Sequence, residues 1–427
     1  MRTVPVVTVF LRHRGDVLLL QRSDDVGSYP GQWGGVAGHV EDRSPLDAAL
    51  HEIEEETGLR TEQVRRVRSG TPFMVGDGET DTTWNVHPFL FDAETRDIEP
   101  NWETAEAEWV APTAILRRST VPDLWTSYRR VAASIVMIAD DTVRGSAALS
   151  TDALEVLRDR AGMLAVTGNV DGEEARERLV DVAERLLAAR PSMAAVQNRI
   201  HRVMDACVPE LSPAAVEAAA HGGIARAIDA DRHAADRAAE IIAGKRVLTL
   251  SRSATVLDAL RRATPAPGVM VAESRPDREG VDVAEVLTDD LEDVTVCTDA
   301  AVATVLAEGG IDVVLVGADT IRPSGAVVNK TGTRSAALAA GREDVPVYAA
   351  CAADKIAPEE ETRTEEGNRR AVYDGTAPLH VRNPTFDVTP PDLVTGGVVT
   401  DDATHDPTEI EDLADEHRER AAWRETV

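Results

Sequence analysis

Lysine is almost absent from this chain. Of its 45 basic residues only Lys245, Lys330 and Lys355 are lysines, and all the others are arginine. Aromatic residues are scarce as well, at 4% of 427 residues, while acids number 75 and bring the formal net charge to −30. That balance excludes a protein that wraps bare nucleic acid, because counterion release from phosphates needs an excess of basic side chains. An acidic surface poor in lysine and aromatics suits solubility in concentrated salt, where a short Debye length screens self-repulsion. A halophile's cytosolic protein is the expectation, with an acidic protein of ordinary salinity as the alternative.

Cysteine is equally sparse. Cys207, Cys297 and Cys351 stand far apart, with no CxxC or His-paired spacing, which excludes a disulfide framework and a zinc site and leaves free thiols in a reducing cytoplasm. No run approaches eighteen apolar residues, so no membrane partner is expected. The start MRTVPVVTVFL lacks the features of a secretory signal and reads as a first strand.

What is present falls into three rhythms. Residues 1–130 alternate short apolar runs with Gly-rich turns and one strong helix, a compact mixed pattern. Residues 131–244 carry apolar residues at three- and four-residue spacing, as in EEARERLVDVAERLLAAR, and read as a helical domain. From 245 to 427 short apolar strands alternate with helical stretches, which implies a parallel sheet with helices on both faces. These strands end in polar residues: Ser251, Glu273 to Arg275, Asp299, Asp319 and Asp354. Ligands bind at the carboxyl ends of such strands. Helix capping alone is the competing reason for polar residues there. The tail from about Asp401 is acidic and poor in pattern. The fold class is multidomain α/β.

Within residues 31–59, GQWGGVAGHVEDRSPLDAALHEIEEETGL, the helix is well bounded: Ser44 can cap, Pro45 suits the first position, Asp47 stands where a capping-box acid would, and Gly58 can end it. Leu46, Ala49, Leu50 and Ile53 form an apolar stripe. Glu52, Glu55 and Glu56 lie at i, i+3 and i+4 on another face. Three crowded carboxylates repel unless a hard divalent cation such as Mg²⁺ sits among them, where it would also take substrate phosphate oxygens and assist attack of water on a diphosphate. In a chain this acidic, a solvated helix face is the alternative.

The run GHVE…SPLDAALHEIEEETGL, preceded by LLLQRS and PGQWGGVAG, resembles the Nudix box of the Nudix hydrolase family, and the resemblance covers roughly residues 1–130. It implies a β-sheet sandwiched by helices, with Mg²⁺- or Mn²⁺-dependent hydrolysis of a nucleoside diphosphate derivative and Glu52, Glu55 and Glu56 as metal-binding, catalytic residues. Two departures bear on turnover. The loop after Gly38 is one residue short, with Arg43 and Ser44 where the family has a glutamate, so that Glu41 is left as a substitute. His51 replaces the arginine that holds the family's glutamates in place.

A second constellation lies in VLVGADTIRPSGAVVNKTGT, residues 314–333. Asp319 at a strand end can move a proton or bind hydroxyls, Lys330 offers a point charge beside Asn329, and the Thr-Gly-Thr start of the next helix, through Gly332 and Thr333, offers N–H groups to phosphate. A hairpin with a solvent-facing lysine is the alternative. With VRGSAALS (Arg144, Gly145), ARPSMAAVQN (Arg190), VLTLSRS (Ser251), AESRPDREG (Arg275) and FDVTPPDLV, this stretch resembles the translation initiation factor 2B alpha/beta/delta regulatory-subunit family. Archaeal relatives of that family include ribose 1,5-bisphosphate isomerase and methylthioribose-1-phosphate isomerase.

The resemblance implies a helical domain followed by a Rossmann-like domain, a sugar-phosphate or nucleotide ligand, and a homo-oligomer. Isomerase members use a cysteine and an aspartate, and the aspartate maps to Asp319. The cysteine's place is taken by Ser251, a far weaker acid, so isomerisation is expected to be weak or absent. Three readings follow. The first is a Nudix-type hydrolase fused to a ligand-sensing domain, the second a working ribose 1,5-bisphosphate isomerase, and the third a non-enzymatic regulatory protein of translation.

Overall fold

In the computed structural model, which describes residues 2–77, 82–141, 143–166, 172–361 and 366–426, the N-terminal apolar run forms the strand expected of it. This is β1 (Arg2–His13), followed by β2 (Asp16–Arg22), β3 (Trp33–Gly34), β4 (Val36–His39), α1 (Pro45–Thr57), β5 (Val64–Ser69), β6 (Phe73–Asp77), β7 (Thr82–Ala93), β8 (Thr104–Val110) and α2 (Leu124–Arg129). The strands make one eight-stranded sheet along the path β3-β2-β1-β7-β5, with β4 on β1, β6 on β7 and β8 on β2. It is mixed, because β1 and β7 run parallel while β4 pairs antiparallel to β1.

Alternation along β1 and β2 sends side chains to two cores. Val7, Val9, Leu11, Leu18 and Leu20 pack with Ala48, Ala49 and Ile53 of α1. Phe10, Val17 and Leu19 pack on the other face with Leu124, Tyr128 and Val131.

From 131 to 244 the described residues form helices: α3 (Ile135–Asp140), α4 (Ser146–Val166), α5 (Gly172–Ala189), α6 (Ala194–Asp205) and α7 (Pro213–Ile242). The chain divides into two compact units, one of residues 1–138, 152–183 and 211–225, the other of 139–151, 184–210 and 226–427. The helical stretch is therefore shared between them. In the first unit Arg12 reaches Glu155 at 2.9 Å, and the fully buried Arg158 donates to the Gly15 carbonyl at 2.9 Å.

The second unit continues with β9 (Arg246–Leu250), α8 (Ala254–Arg262), β10 (Gly268–Ala272), α9 (Glu279–Leu287), β11 (Val294–Cys297), α10 (Val302–Glu308), β12 (Val313–Gly317), β13 (Thr320–Ile321), β14 (Val327–Lys330), α11 (Thr333–Arg342), β15 (Val347–Ala350), α12 (Arg369–Val372), β16 (Phe386–Thr389), β17 (Gly397–Val399), β18 (Thr404–His405) and α13 (Ile410–Ala421). Seven of these strands form a sheet of order β11-β10-β9-β12-β15-β17-β18. All neighbours are parallel except the β17–β18 edge. Strand order reverses between β9 and β12, and such a switch leaves a crevice at the carboxyl ends of those two strands. A small sheet, β13-β14-β16, stands beside it.

The acidic tail is more ordered than its composition suggested. Ile410, Ala414, His417 and Trp423 are buried, and the Trp423 indole donates to His201 at 3.0 Å. No described helix is long and apolar enough to cross a membrane.

Candidate functional site

In the first unit α1 is capped as its sequence requires. Ser44 Oγ accepts the Asp47 N–H at 3.2 Å, Pro45 opens the helix, and the Gly58 N–H donates to the Glu54 carbonyl at 2.9 Å. The three glutamates then part company. At about 100° per residue Glu56 stands some 40° to one side of Glu52 and Glu55 some 60° to the other. Docking of Ala48, Ala49 and Ile53 onto the sheet turns Glu56 inward, to 6% exposure, and leaves Glu55 exposed and paired with His51 Nε2 at 3.4 Å. Among the described residues no three His, Cys, Asp or Glu side chains come together as a metal-ligand set, so the expected convergence of Glu52, Glu55 and Glu56 is not formed. Glu41 does not fill the gap either, being exposed and paired with Arg43 at 3.6 Å.

What remains is a pair. The Glu56 carboxylate accepts the Ala37 N–H at 3.4 Å, and burial, then repulsion from Glu52, push its pKa up to about 8. Glu52 is raised too, by burial and then by Glu55, and Glu103 adds to the repulsion on both Glu52 and Glu56. The Glu52 carboxyl lies where a side chain on Gly38 would have to go, with a Cβ there only 2.0 Å away. Glycine at 38 is thus what lets the carboxylate reach the β4 backbone. Mg²⁺ holds on to several waters and is commonly bound through one or two carboxylates plus substrate phosphates. Two neighbouring carboxylates that resist ionisation fit that mode of attachment rather than an all-protein cage.

In the second unit Ser251 follows β9 and Asp319 follows β12, one on each side of the switch in strand order. Ser251 has a left-handed backbone, φ 62°, and its N–H donates to Ser274 Oγ at 2.7 Å. Its hydroxyl donates to Glu279 Oε2 at 2.8 Å, and Lys330 Nζ lies 3.2 Å from that same oxygen. Lys330 also stands 3.8 Å from Asp277 and is only 13% exposed, so it faces carboxylates in a partly enclosed place instead of solvent. Glu279, the first residue of α9, is the group that joins Ser251 to Lys330. Gly280 permits this by letting α9 press against β10, since a Cβ there would fall 1.9 Å from the Ala272 carbonyl oxygen.

The Thr-Gly-Thr helix start does not offer open N–H groups. Asp387 of β16 accepts the Gly332 N–H at 2.8 Å and the Arg334 N–H at 3.1 Å, so a protein carboxylate occupies the place assigned to phosphate. Asn329 Nδ2 donates to Thr333 Oγ1 at 2.9 Å, and that hydroxyl donates to the Lys330 carbonyl at 2.7 Å. Both side chains brace the same turn.

The arginines are spread more widely. Arg144 Nε binds Asp141 at 2.7 Å, and hydrogen bonds from Arg144 and Val143 outweigh burial to hold that carboxyl at about 2. Gly145 begins the turn into α4, and the preceding Val143 carbonyl accepts Arg252 at 2.9 Å, which brings this loop to the Ser251 turn. Arg190 directly follows α5, and its carbonyl accepts the Gln197 side-chain N–H at 3.1 Å. Arg275 is exposed, and its N–H donates to Asp299 at 2.6 Å. The N–H of Asp319 donates to the Val328 carbonyl at 3.0 Å, and the buried Lys355 Nζ donates to the adjacent Ala318 carbonyl at 2.7 Å. Glu279, Asp387 and Lys355 were not singled out from sequence as site residues. Glu279 and Asp387 lie inside the quoted runs AESRPDREG and FDVTPPDLV, which was the available signal.

Comparison with known proteins places two families along the chain. The initiation factor 2 subunit family matches residues 142–404, and the NUDIX domain matches residues 1–133. A methylthioribose-1-phosphate isomerase of Klebsiella pneumoniae is 31% identical over 258 residues, covering 52% of this chain and 73% of the relative. A ribose 1,5-bisphosphate isomerase of Archaeoglobus fulgidus is 32% identical over 274 residues, covering 59% and 82%. Among solved structures, a translation initiation factor eIF-2B of Pyrococcus horikoshii superimposes with a TM-score of 0.55 at 26% identity, covering 64% of this chain and 96% of that one.

Proposed function

Because the chain belongs to the initiation factor 2 subunit family, with a NUDIX domain fused ahead of the family region, we propose that its second unit isomerises a ribose phosphorylated at carbon 1, aldose to ketose. The names of the two isomerase relatives share that 1-phosphate and differ in the other substituent, a methylthio group in one and a second phosphate in the other. The observation that carries the reading is the pair of proton-handling groups, Ser251 and Asp319, flanking the switch between β9 and β12. A serine in place of a thiol makes the reaction slow, because a hydroxyl gives up its proton far less readily. Product formation from ribose 1,5-bisphosphate and from methylthioribose 1-phosphate, in molar salt, tests it. Activity abolished by Asp319→Asn supports the proposal. No product from either sugar, together with copurification of translation-factor subunits, replaces it with a regulatory role.

A second activity is favoured by the Glu52–Glu56 pair. In this reading the NUDIX domain hydrolyses a nucleoside diphosphate derivative, with Mg²⁺ or Mn²⁺ held by Glu52 and Glu56 and by the substrate's phosphates. The bound cation supplies charge neutralisation and polarises the diphosphate. Cleavage of an ADP-ribose-like compound would release ribose 5-phosphate, a sugar phosphate that lacks the 1-phosphate proposed for the second unit's substrate. Metal-dependent release of nucleoside monophosphate, lost in Glu56→Gln, is the expected result. Equal rates in the two proteins would end this reading.

A further inference from the structure

Resting on the isomerase reading, we propose that Glu279 is the proton acceptor behind Ser251, so that Ser251, Glu279 and Lys330 form a relay doing the work of a single acidic thiol. The geometry is direct: the Ser251 hydroxyl already donates to Glu279 Oε2 at 2.8 Å, and Lys330 Nζ stands 3.2 Å from that same oxygen. Glu279 is held in position by Gly280, whose lack of a side chain seats α9 on the end of β10. Ser251 keeps a left-handed backbone that serine seldom adopts, an arrangement that persists only where the surroundings enforce it.

The chemistry balances without an outside reagent. In a cyclic ribose 1-phosphate the C1–O4 bond breaks and O4 takes a proton from Asp319. The hydrogen on C2 moves with its bonding pair to C1, and O2 loses its proton as the C2 carbonyl forms. Ser251 Oγ accepts the O2 proton while passing its own to Glu279. Glu279 and Asp319 then return to their starting states by exchanging one proton with water. Glu279 therefore acts through Ser251, as a positioning and proton-accepting group, and Lys330 balances its charge.

Wild type, Asp319→Asn, Glu279→Gln, Ser251→Ala and the double variant Glu279→Gln/Ser251→Cys are compared on ribose 1,5-bisphosphate, with thermal melting as the check on folding. Glu279→Gln keeps the size of the side chain and an oxygen for the Ser251 hydroxyl. It is expected to lower kcat about 10²- to 10⁴-fold, the range of a lost acid–base group. KM should stay within about threefold, because substrate binding is not what is removed. The acidic limb of the wild-type pH–rate profile should disappear with it, a change that a merely structural role would not produce. The Ser251→Cys substitution should restore activity in the Glu279→Gln background, since a thiol ionises without help. If Glu279→Gln retains kcat and the pH limb while Asp319→Asn is inactive, the relay is wrong and the isomerase reading stands. If wild type and Asp319→Asn are alike in making no product, the isomerase reading fails and takes the relay with it.

Discussion

Glu56 gives the sharpest quantitative test. Its carboxyl is 6% exposed and titrates at about 8 instead of 4.5, through burial and the neighbouring Glu52. A raised acid contributes its stability in full below pH 4.5, where both folded and unfolded chains hold the proton. Between 4.5 and about 8 only the folded chain holds it, so stability falls as pH rises, and above 8 the loss levels off. At about 1.4 kcal/mol per pH unit the total is on the order of 5 kcal/mol. For a unit of this size that is roughly 10–20 °C in Tm. Buried histidines run the other way, His201 being lowered to about 4 by burial and then Arg424, so the quantity to measure is the difference between wild type and Glu56→Gln. Melting from pH 5 to 9 at fixed ionic strength should show the variant gaining on the wild type up to about pH 8 and holding that gain above it. Mg²⁺ should restore wild-type stability above pH 7, by about 2.7 kcal/mol at a hundred times its Kd, and should do much less for the variant. A gap between the two proteins that stays constant across this range, with or without Mg²⁺, would refute the reasoning.

Three further outcomes follow from the second unit. Asp354 lies between Arg199 at 2.8 Å and Arg202 at 2.5 Å, which outweigh burial and hold it at about 2; Asp354→Asn should cost about 1–3 kcal/mol in urea unfolding, because the buried Arg199 loses its nearer carboxylate and keeps Asp231 at 3.3 Å. The wild type should lose this contribution only as pH falls from 3.8 toward 2. Asp387→Ala removes the cap on Gly332 and Arg334, and should lower stability by about 0.5–2 kcal/mol while making melting newly responsive to phosphate. Gly280→Ala forces α9 off β10 and should cost about 1–3 kcal/mol in chemical denaturation, with loss of isomerase activity if Glu279 serves as proposed.

The elements near the first site were legible because their signals are local. Ser44, Pro45 and Gly58 bracket α1 within fifteen residues, and each acts on its own turn of helix. The parallel strands were legible for the same reason, as short apolar runs each stopped by a polar residue. The rotation of α1 was not. Spacing fixes the angles between Glu52, Glu55 and Glu56, but the sheet decides which of them turns inward, and the pairing of His51 with Glu55 belongs to the outer face. The cap on α11 comes from Asp387, more than fifty residues beyond the helix start, and Glu279 meets Ser251 across 28 residues of chain. No reading of local pattern supplies such partners. Helix α13 is not legible in the local pattern because its buried positions, Ile410, Ala414 and His417, are few and one of them is polar.

In a chain with 75 acids, carboxylates as such carry little information, and burial is what separates those with a task from those that keep the surface hydrated. An exposed glutamate in salt water costs almost nothing, whereas an enclosed one must be offset by something. The two units meet that demand differently. Glu279 is matched from within, by Lys330 and the Ser251 hydroxyl. Glu56 has one weak backbone donor and a repelling neighbour, and its pKa is pushed up to about 8. The first site is therefore one whose carboxylate the fold sets beside another carboxylate, and the second is one whose carboxylate the fold has paired.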